Sequence, residues 1–165
     1  MDTAWEEFVK THAQVVLDSA LRVVGNSADA EDVAQEVFME IFRSGKLKEF
    51  YDQTALIRTI AARRALDRLR KRKSECDLIG EERDVREHEP SEYAIAAELD
   101  QRLRDGLASL PPREAEVFCL SVLQGNSALD VAALLNISKG AVAKSLSKAR
   151  SRLASAFGDV RSETK

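Results

Sequence analysis

The chain is poor in the residues that break helices, build metal sites and fill aromatic cores. Its 165 residues include seven glycines and three prolines, and aromatics make up only 5%. With strong turn signals scarce and Ala and Leu abundant, the sequence reads as all-helical. Two cysteines, Cys76 and Cys119, cannot make a zinc site, and the two histidines lie far apart. Cys119 sits in an apolar helical run as expected of a core thiol, whereas Cys76 lies in a polar stretch without a neighbouring thiol and offers little for redox sensing. There is no signal peptide or membrane-length apolar run, so a cytoplasmic location and no membrane partner are expected. There is also no glycine-rich phosphate loop, metal cluster or nucleophile–base constellation. An enzyme is not expected, nor a cofactor.

Hydrophobic residues make up 44% of the chain, enough for real cores. The net charge of -3 argues against a nucleic-acid partner only as an average. Arg58, Arg63, Arg64, Arg68, Arg70, Lys71, Arg72 and Lys73 form a basic block opposed by Asp67. Glu75, Asp77, Glu81, Glu82, Asp84, Glu87, Glu89 and Glu92 follow as an acidic block. Charges act within a Debye length of about 10 Å, so local blocks decide what is attracted where.

Trp5, Phe8, Val9, His12, Val16, Ala20 and Val23 recur at helical spacing as far as Gly25-Asn26, which end the helix. Ser27 is placed to cap a second helix running to about Arg43, with Asp29, Glu31 and Asp32 suiting the dipole of its first turn and Gly45 stopping it. Lys46 to Gln53 reads as a loop. Thr54 caps a third helix to about Lys73, whose apolar residues Leu56, Ile57, Ile60, Ala61, Ala65, Leu66 and Leu69 make no single stripe. That pattern fits a central helix buried on more than one side. The polar, acidic stretch that follows reads as a linker, and Ser91 opens a fourth helix. Leu110-Pro111-Pro112 breaks that helix and starts a fifth, from Arg113 to Leu123. The expected organisation is two helical modules, residues 1–73 and 92–165, joined by a flexible acidic linker over 74–91.

Residues Ser127 to Leu153 read as a helix-turn-helix. Ser127 and Asp130 have capping-box spacing, Asn136 suits the left-handed end of the first helix, and Ser138 caps the second. Val142, Leu146, Ala149 and Leu153 share one face of the second helix. Gly140, Lys144, Ser147 and Ser151 lie roughly opposite, with Lys148 beside them, and no acidic residue falls among Lys139, Lys144, Lys148, Arg150 and Arg152. Such a helix fits the DNA major groove, its small residues allowing close approach. A helical hairpin with a solvated basic face would have the same pattern.

The segment Asp29-Ala-Glu-Asp-Val-Ala-Gln-Glu-Val-Phe38, with Ile60-Ala61 and Ala65-Leu-Asp-Arg-Leu-Arg70, resembles region two of bacterial RNA polymerase sigma factors of the extracytoplasmic-function (ECF) type. Leu110-Pro-Pro-Arg-Glu-Ala-Glu-Val117, Gly125, Leu134-Leu-Asn-Ile-Ser138 and Lys148-Ala-Arg150 resemble region four. The resemblance covers nearly the whole chain in order. It implies a protein that binds core RNA polymerase and directs it to promoter DNA, reading the minus-thirty-five element with region four and melting the minus-ten element with region two. It implies docking on the largest subunit's clamp helices through Asp29, Asp32, Gln35 and Glu36, with the polymerase flap as a second contact. It further implies minus-ten contacts from Phe50, Tyr51, Arg63, Arg64, Asp67, Arg68, Arg70 and Lys71, with Phe50 open to a core role and Asp67 to orienting arginines. Minus-thirty-five contacts are implied for Ser138, Lys139, Gly140, Lys144, Ser147, Lys148 and Arg150. An anti-sigma factor would be a further partner, and the acidic linker resembles a strand in the polymerase's nucleic-acid channel. A solvated spacer would look the same.

The chain departs from the family pattern at Leu56 and Arg63, at Ala128-Leu129-Asp130, and at Ala141, Ala143 and Ser145. Alanine and serine offer few bidentate base contacts, so minus-thirty-five reading would lean on phosphates and DNA shape. A stand-alone helix-turn-helix regulator leaves the Asp29–Phe38 segment unexplained. An adaptor that binds polymerase without reading promoters leaves the basic surfaces unexplained.

Overall fold

In the first helix, α1 (Thr3–Val24), Asp2 accepts a hydrogen bond from the Ala4 N–H at 3.3 Å, and the helix ends at Gly25, whose φ of 79° is left-handed. The computed structural model describes residues 2–51, 53–80 and 92–158, and its described residues include no strand. Helix α2 (Ser27–Ser44) is capped by Asn26, not by Ser27. The Asn26 side chain accepts from the Asp29 N–H at 2.9 Å and donates to the Asp29 carboxylate at 2.8 Å. One amide thus serves a backbone donor and a carboxylate together.

Within the expected loop lies a single turn of helix, α3 (Leu47–Phe50). Helix α4 (Thr54–Ile79) differs from expectation at both ends. Gln53 precedes it without a side-chain cap, so Thr54 is its first residue rather than its cap. It passes Lys73 and stops at Gly80, φ 64°. Residues 74–79 mix Ser74, Glu75 and Asp77 with the apolar Leu78 and Ile79 and contain neither glycine nor proline, and charged residues alone do not end a helix. The remainder of the expected linker, 81–91, and the expected helix start at Ser91 lie outside the described residues.

Helices α1, α2 and α4 enclose a core of Phe8, Val16, Val23, Val33, Val37, Ile41, Ile57 and Leu66, each at most 1% exposed. Ala61, Ala62 and Ala65 are buried on α4, where small side chains let its neighbours approach closely. The second module comprises α5 (Glu92–Ser109), α6 (Pro112–Phe118), α7 (Ala128–Leu135) and α8 (Lys139–Gly158). A π-helical turn, Cys119–Leu123, continues α6. The Gln124 N–H reaches back to the Cys119 carbonyl and the Asn126 N–H to that of Leu120, both at 3.0 Å. Nothing in the sequence distinguishes this turn from ordinary α-helix. Cys119 is fully buried as expected, and burial pushes its thiol pKa up to about 12.

The modules also pack on each other. Helix α4 touches α1 and α2 on one side and α5, α6, α7 and the π-helical turn on the other. This accounts for its missing apolar stripe: Ile57, Ala61, Ala65 and Leu66 answer to more than one neighbour.

Asp29 joins α2 to α4. Its carboxylate accepts from Arg68 Nε at 3.1 Å and Arg72 Nη1 at 2.5 Å, besides the Asn26 amide. Burial works against its charge, but the Asn26 amide and the Arg68 and Arg72 guanidiniums outweigh it and hold the carboxyl below its ordinary pKa of 3.8. A carboxyl depressed by folding stabilises the protein above its unfolded-state pKa and loses that effect as pH falls through the folded-state value. Asp29→Asn is therefore expected to lower stability by about 1–3 kcal/mol at pH 7, with the deficit shrinking below about pH 4, in urea melts at the two pH values. Leu66→Ala should cost about 2–5 kcal/mol at either pH, because its cavity does not titrate.

Candidate functional site

The helix-turn-helix forms from local chemistry. The Ser127 hydroxyl accepts from the Asp130 N–H at 3.1 Å and donates to the Asp130 carboxylate at 2.8 Å. Asn136 is left-handed, φ 52°, and the Ser138 hydroxyl accepts from the Ala141 N–H at 3.0 Å. Val131, Leu135, Val142, Ala149 and Leu153 are buried, and Ile137 and Leu146 pack against the same core. Away from the buried stripe, Gly140, Lys144, Ser147 and Lys148 of α8 are exposed, as are Lys139 and Arg150 on its flank and Ser138 just before it. Arg152 departs from these: its Nε lies 2.9 Å from the buried Glu114 carboxylate and ties α8 to α6. The remaining α8 cations suit a polyanion, and Gly140 leaves room for close approach, since a Cβ there would meet nothing nearer than Ser138 Oγ at 3.9 Å.

The basic block of α4 is built differently. Arg64 Nη2 lies 2.6 Å from Glu40 of α2, a hydrogen bond that raises the guanidinium's pKa. Arg68 bridges Asp29 and Asp32, 3.1 Å from each. Arg70 lies 3.3 Å from Asp67, and Arg63 lies 2.6 Å from Glu116 of α6. Lys71 is exposed. Most of these arginines therefore already hold carboxylates; apart from Asp67, three residues from Arg70, the partners lie far along the chain, where sequence reasoning missed them. Exposed pairs of this kind are worth at most about 1 kcal/mol, so phosphates can displace them. Arg68 and Asp29 are the exception. Their mutual contact lies at the half-buried junction of α2 and α4, and Asp29 keeps only 12% of its side chain exposed. Asp29, one of the expected polymerase contacts, is thus turned inward onto α4, whereas Asp32, Gln35 and Glu36 remain exposed.

Phe50 is half-buried against the core of the first module. The Tyr51 ring lies 6.3 Å from Phe8 and 6.1 Å from His12, and its hydroxyl donates to Glu7 at 3.3 Å. Both aromatics therefore pack on the first module, with Tyr51 still 39% exposed at its edge.

Asp32, Gln35 and Glu36 are exposed on one face of α2, lining an open groove of about 580 Å³ with Met39, Glu40, Arg43, Arg64 and Arg68. Beside it, Met39 is 48% and Phe42 60% exposed, with Trp5 5.0 Å from Phe42 between ring centroids. Phe42 is not among the contact residues expected from the sequence. The available signal was its place one residue beyond the buried Val33–Val37–Ile41 series. Among the described residues, no helix is long and apolar enough to cross a membrane.

Residues 8–75 match the family model of Sigma-70 region 2, and residues 100–153 match Sigma-70, region 4. The chain is 28% identical over 165 residues to the ECF RNA polymerase sigma factor SigE of Mycolicibacterium smegmatis, covering 98% of this chain and 64% of that protein. It is 29% identical over 161 residues to the RNA polymerase sigma factor CarQ of Myxococcus xanthus, covering 97% and 92%. The probable RNA polymerase sigma factor RfaY of Xanthomonas campestris is 29% identical over 155 residues, covering 89% of this chain and 38% of the relative. The fold resembles CnrH in complex with the cytosolic domain of CnrY, with a TM-score of 0.56 at 21% identity, covering 94% of this chain and 88% of that one. It also resembles the sigma factor RpoE in complex with the anti-sigma factor NepR from Bartonella quintana, with a TM-score of 0.57 at 24% identity, covering 93% and 98%. With both regional models matched in order on one helical chain, and ECF sigma factors aligned along nearly its whole length, the chain belongs to the sigma-70 family, in its extracytoplasmic-function group.

Proposed function

We propose that the chain binds core RNA polymerase in the cytoplasm and directs it to promoters, with catalysis left to the polymerase. The observation that carries this reading is the pairing, on one chain, of an α8 face whose exposed charges are all cationic with an α2 face that is acidic and apolar. The first suits DNA. The second suits a basic protein surface carrying large apolar side chains. On α2, Asp32, Gln35 and Glu36 would dock on the clamp helices of the largest subunit, with Met39 and Phe42 beside them as apolar anchors, and the second module would meet the flap. On α8, Lys139, Lys144, Lys148 and Arg150 would hold phosphates of the minus-thirty-five element while Ser138, Gly140 and Ser147 come close to base edges. On α4, Arg63, Arg64, Arg70 and Lys71 would hold the melted minus-ten strand, with Tyr51 at the edge as a stacking surface and Asp67 steadying Arg70. An anti-sigma factor is a further partner in this reading.

Replacing Lys144 and Lys148 together by alanine is expected to cut promoter-dependent transcription by the reconstituted holoenzyme several-fold. The slope of log affinity against log salt should fall by about 2, with affinity for core polymerase unchanged. Loss of core binding, with the salt slope intact, would contradict the assignment of α8.

A further inference from the structure

We propose that the cleft between α5 and α8 is a binding site for a small amphipathic anion, an acyl or aromatic carboxylate with its head at Lys73 and its apolar body on the cleft floor. The cleft holds about 410 Å³, within the size range of small-ligand pockets. Arg102, Asp105 and Ser109 line it from one face of α5, and Arg152, Ala156 and Phe157 from one face of α8. Leu110 and Leu153 form its floor, each 5% exposed. The two helices touch at that depth, since a Cβ added at Gly106 would meet Leu153 Cδ2 at 2.7 Å. Phe157 is half-buried above the floor, Ala156 is exposed, and Lys73 of α4 completes the lining.

Charge decides which ligand suits this cleft. Three cations line it, Lys73, Arg102 and Arg152, against one carboxylate, Asp105. Arg102 pairs with Glu98 on its own helix, and Arg152 lies 2.9 Å from Glu114. Asp105 accepts from the Gln101 amide at 3.2 Å. Lys73 differs from both arginines. Among the described residues its half-buried ammonium meets the neutral Ser109 hydroxyl and no carboxylate. Such a cation favours an incoming anion, and apolar walls that displace water strengthen the attraction. A nucleic-acid backbone would find the cations but leave Leu110, Leu153, Ala156 and Phe157 unused. A neutral apolar ligand would cover the floor but leave Lys73 without a counter-charge. An anion carrying an acyl or aromatic body satisfies both halves of the lining. Leu153 and Ala156 also lie roughly opposite Gly140, Lys144 and Ser147 on α8, so the occupant leaves the cationic face free.

The test titrates the full-length chain with the anionic fluorophore anilinonaphthalene sulfonate, with decanoate as competitor, and records thermal melts alongside. One saturable site is expected, emptied of fluorophore by decanoate. Decanoate should also raise the Tm, because a ligand held by the native chain alone stabilises it. Lys73→Met keeps the stem and removes the charge, and should weaken fluorophore binding about two- to tenfold. Ala156→Phe fills the cleft from an exposed position and should abolish binding, whereas Phe42→Ala, on the apolar patch of the first module, should leave it unchanged. No saturable site, binding that survives Ala156→Phe, or binding lost in Phe42→Ala would overturn the assignment of the cleft. A Tm lowered by decanoate would overturn it too, as the mark of a ligand for the unfolded chain. Lys73→Met without effect, or uncharged phenylnaphthylamine bound as tightly as the sulfonate, would overturn the anionic class.

Discussion

A helix that carries arginine on several faces can be packed between neighbours only if each guanidinium either reaches water or meets a carboxylate, because an unpaired charge removed from water costs several kcal/mol. Helix α4 is such a helix. On the α2 side, Asp29, Asp32 and Glu40 take Arg68, Arg72 and Arg64; on the other side, Glu116 of α6 takes Arg63. The small side chains of Ala61, Ala62 and Ala65 keep the packing tight between these pairs. Much else follows from this arrangement: the mixed polarity of α4, the inward turn of Asp29, and the fact that the second module rests on the first.

The pairs differ in strength, and that difference sorts structure from function. Asp29 is buried, capped by Asn26 and held by two arginines, so it belongs to the framework. Arg63 is 47% exposed and its partner belongs to the other module, so that pair is the one a phosphate can most easily replace. A basic stretch in a sequence therefore does not map directly onto a DNA-binding face. The α8 cations, by contrast, are exposed on their own element. Their modest base-reading chemistry is sufficient when the polymerase holds the first module close by and raises the effective concentration of the second.

What could be read from the sequence was what local chemistry decides. The Ser127 and Ser138 caps, the left-handed Asn136 and the glycines after α1 and α2 each act within four residues, and each lies where expected. The recognition-helix face followed from the same periodicity. The exchange of Asn26 for Ser27 as a cap turned on which side chain could serve both the Asp29 N–H and its carboxylate, a choice that residue preference leaves open. The extension of α4 to Ile79 went unseen because polar composition was read as linker. The pairs of Arg63 with Glu116 and Arg68 with Asp29 join residues 53 and 39 positions apart, beyond any local pattern. The site's electrostatics therefore lay outside the sequence even where its residues were named.

The most direct measurement is the distance distribution between spin labels on Cys76 in α4 and on a cysteine introduced by Ser155→Cys in α8, in a Cys119→Ser background. It is recorded by pulsed electron resonance on the free chain and again with core polymerase and promoter DNA. The packing of the two modules in this sigma-70 family chain predicts one narrow distribution in the free protein, replaced by longer distances in the complex. The same narrow distribution in both samples would contradict it.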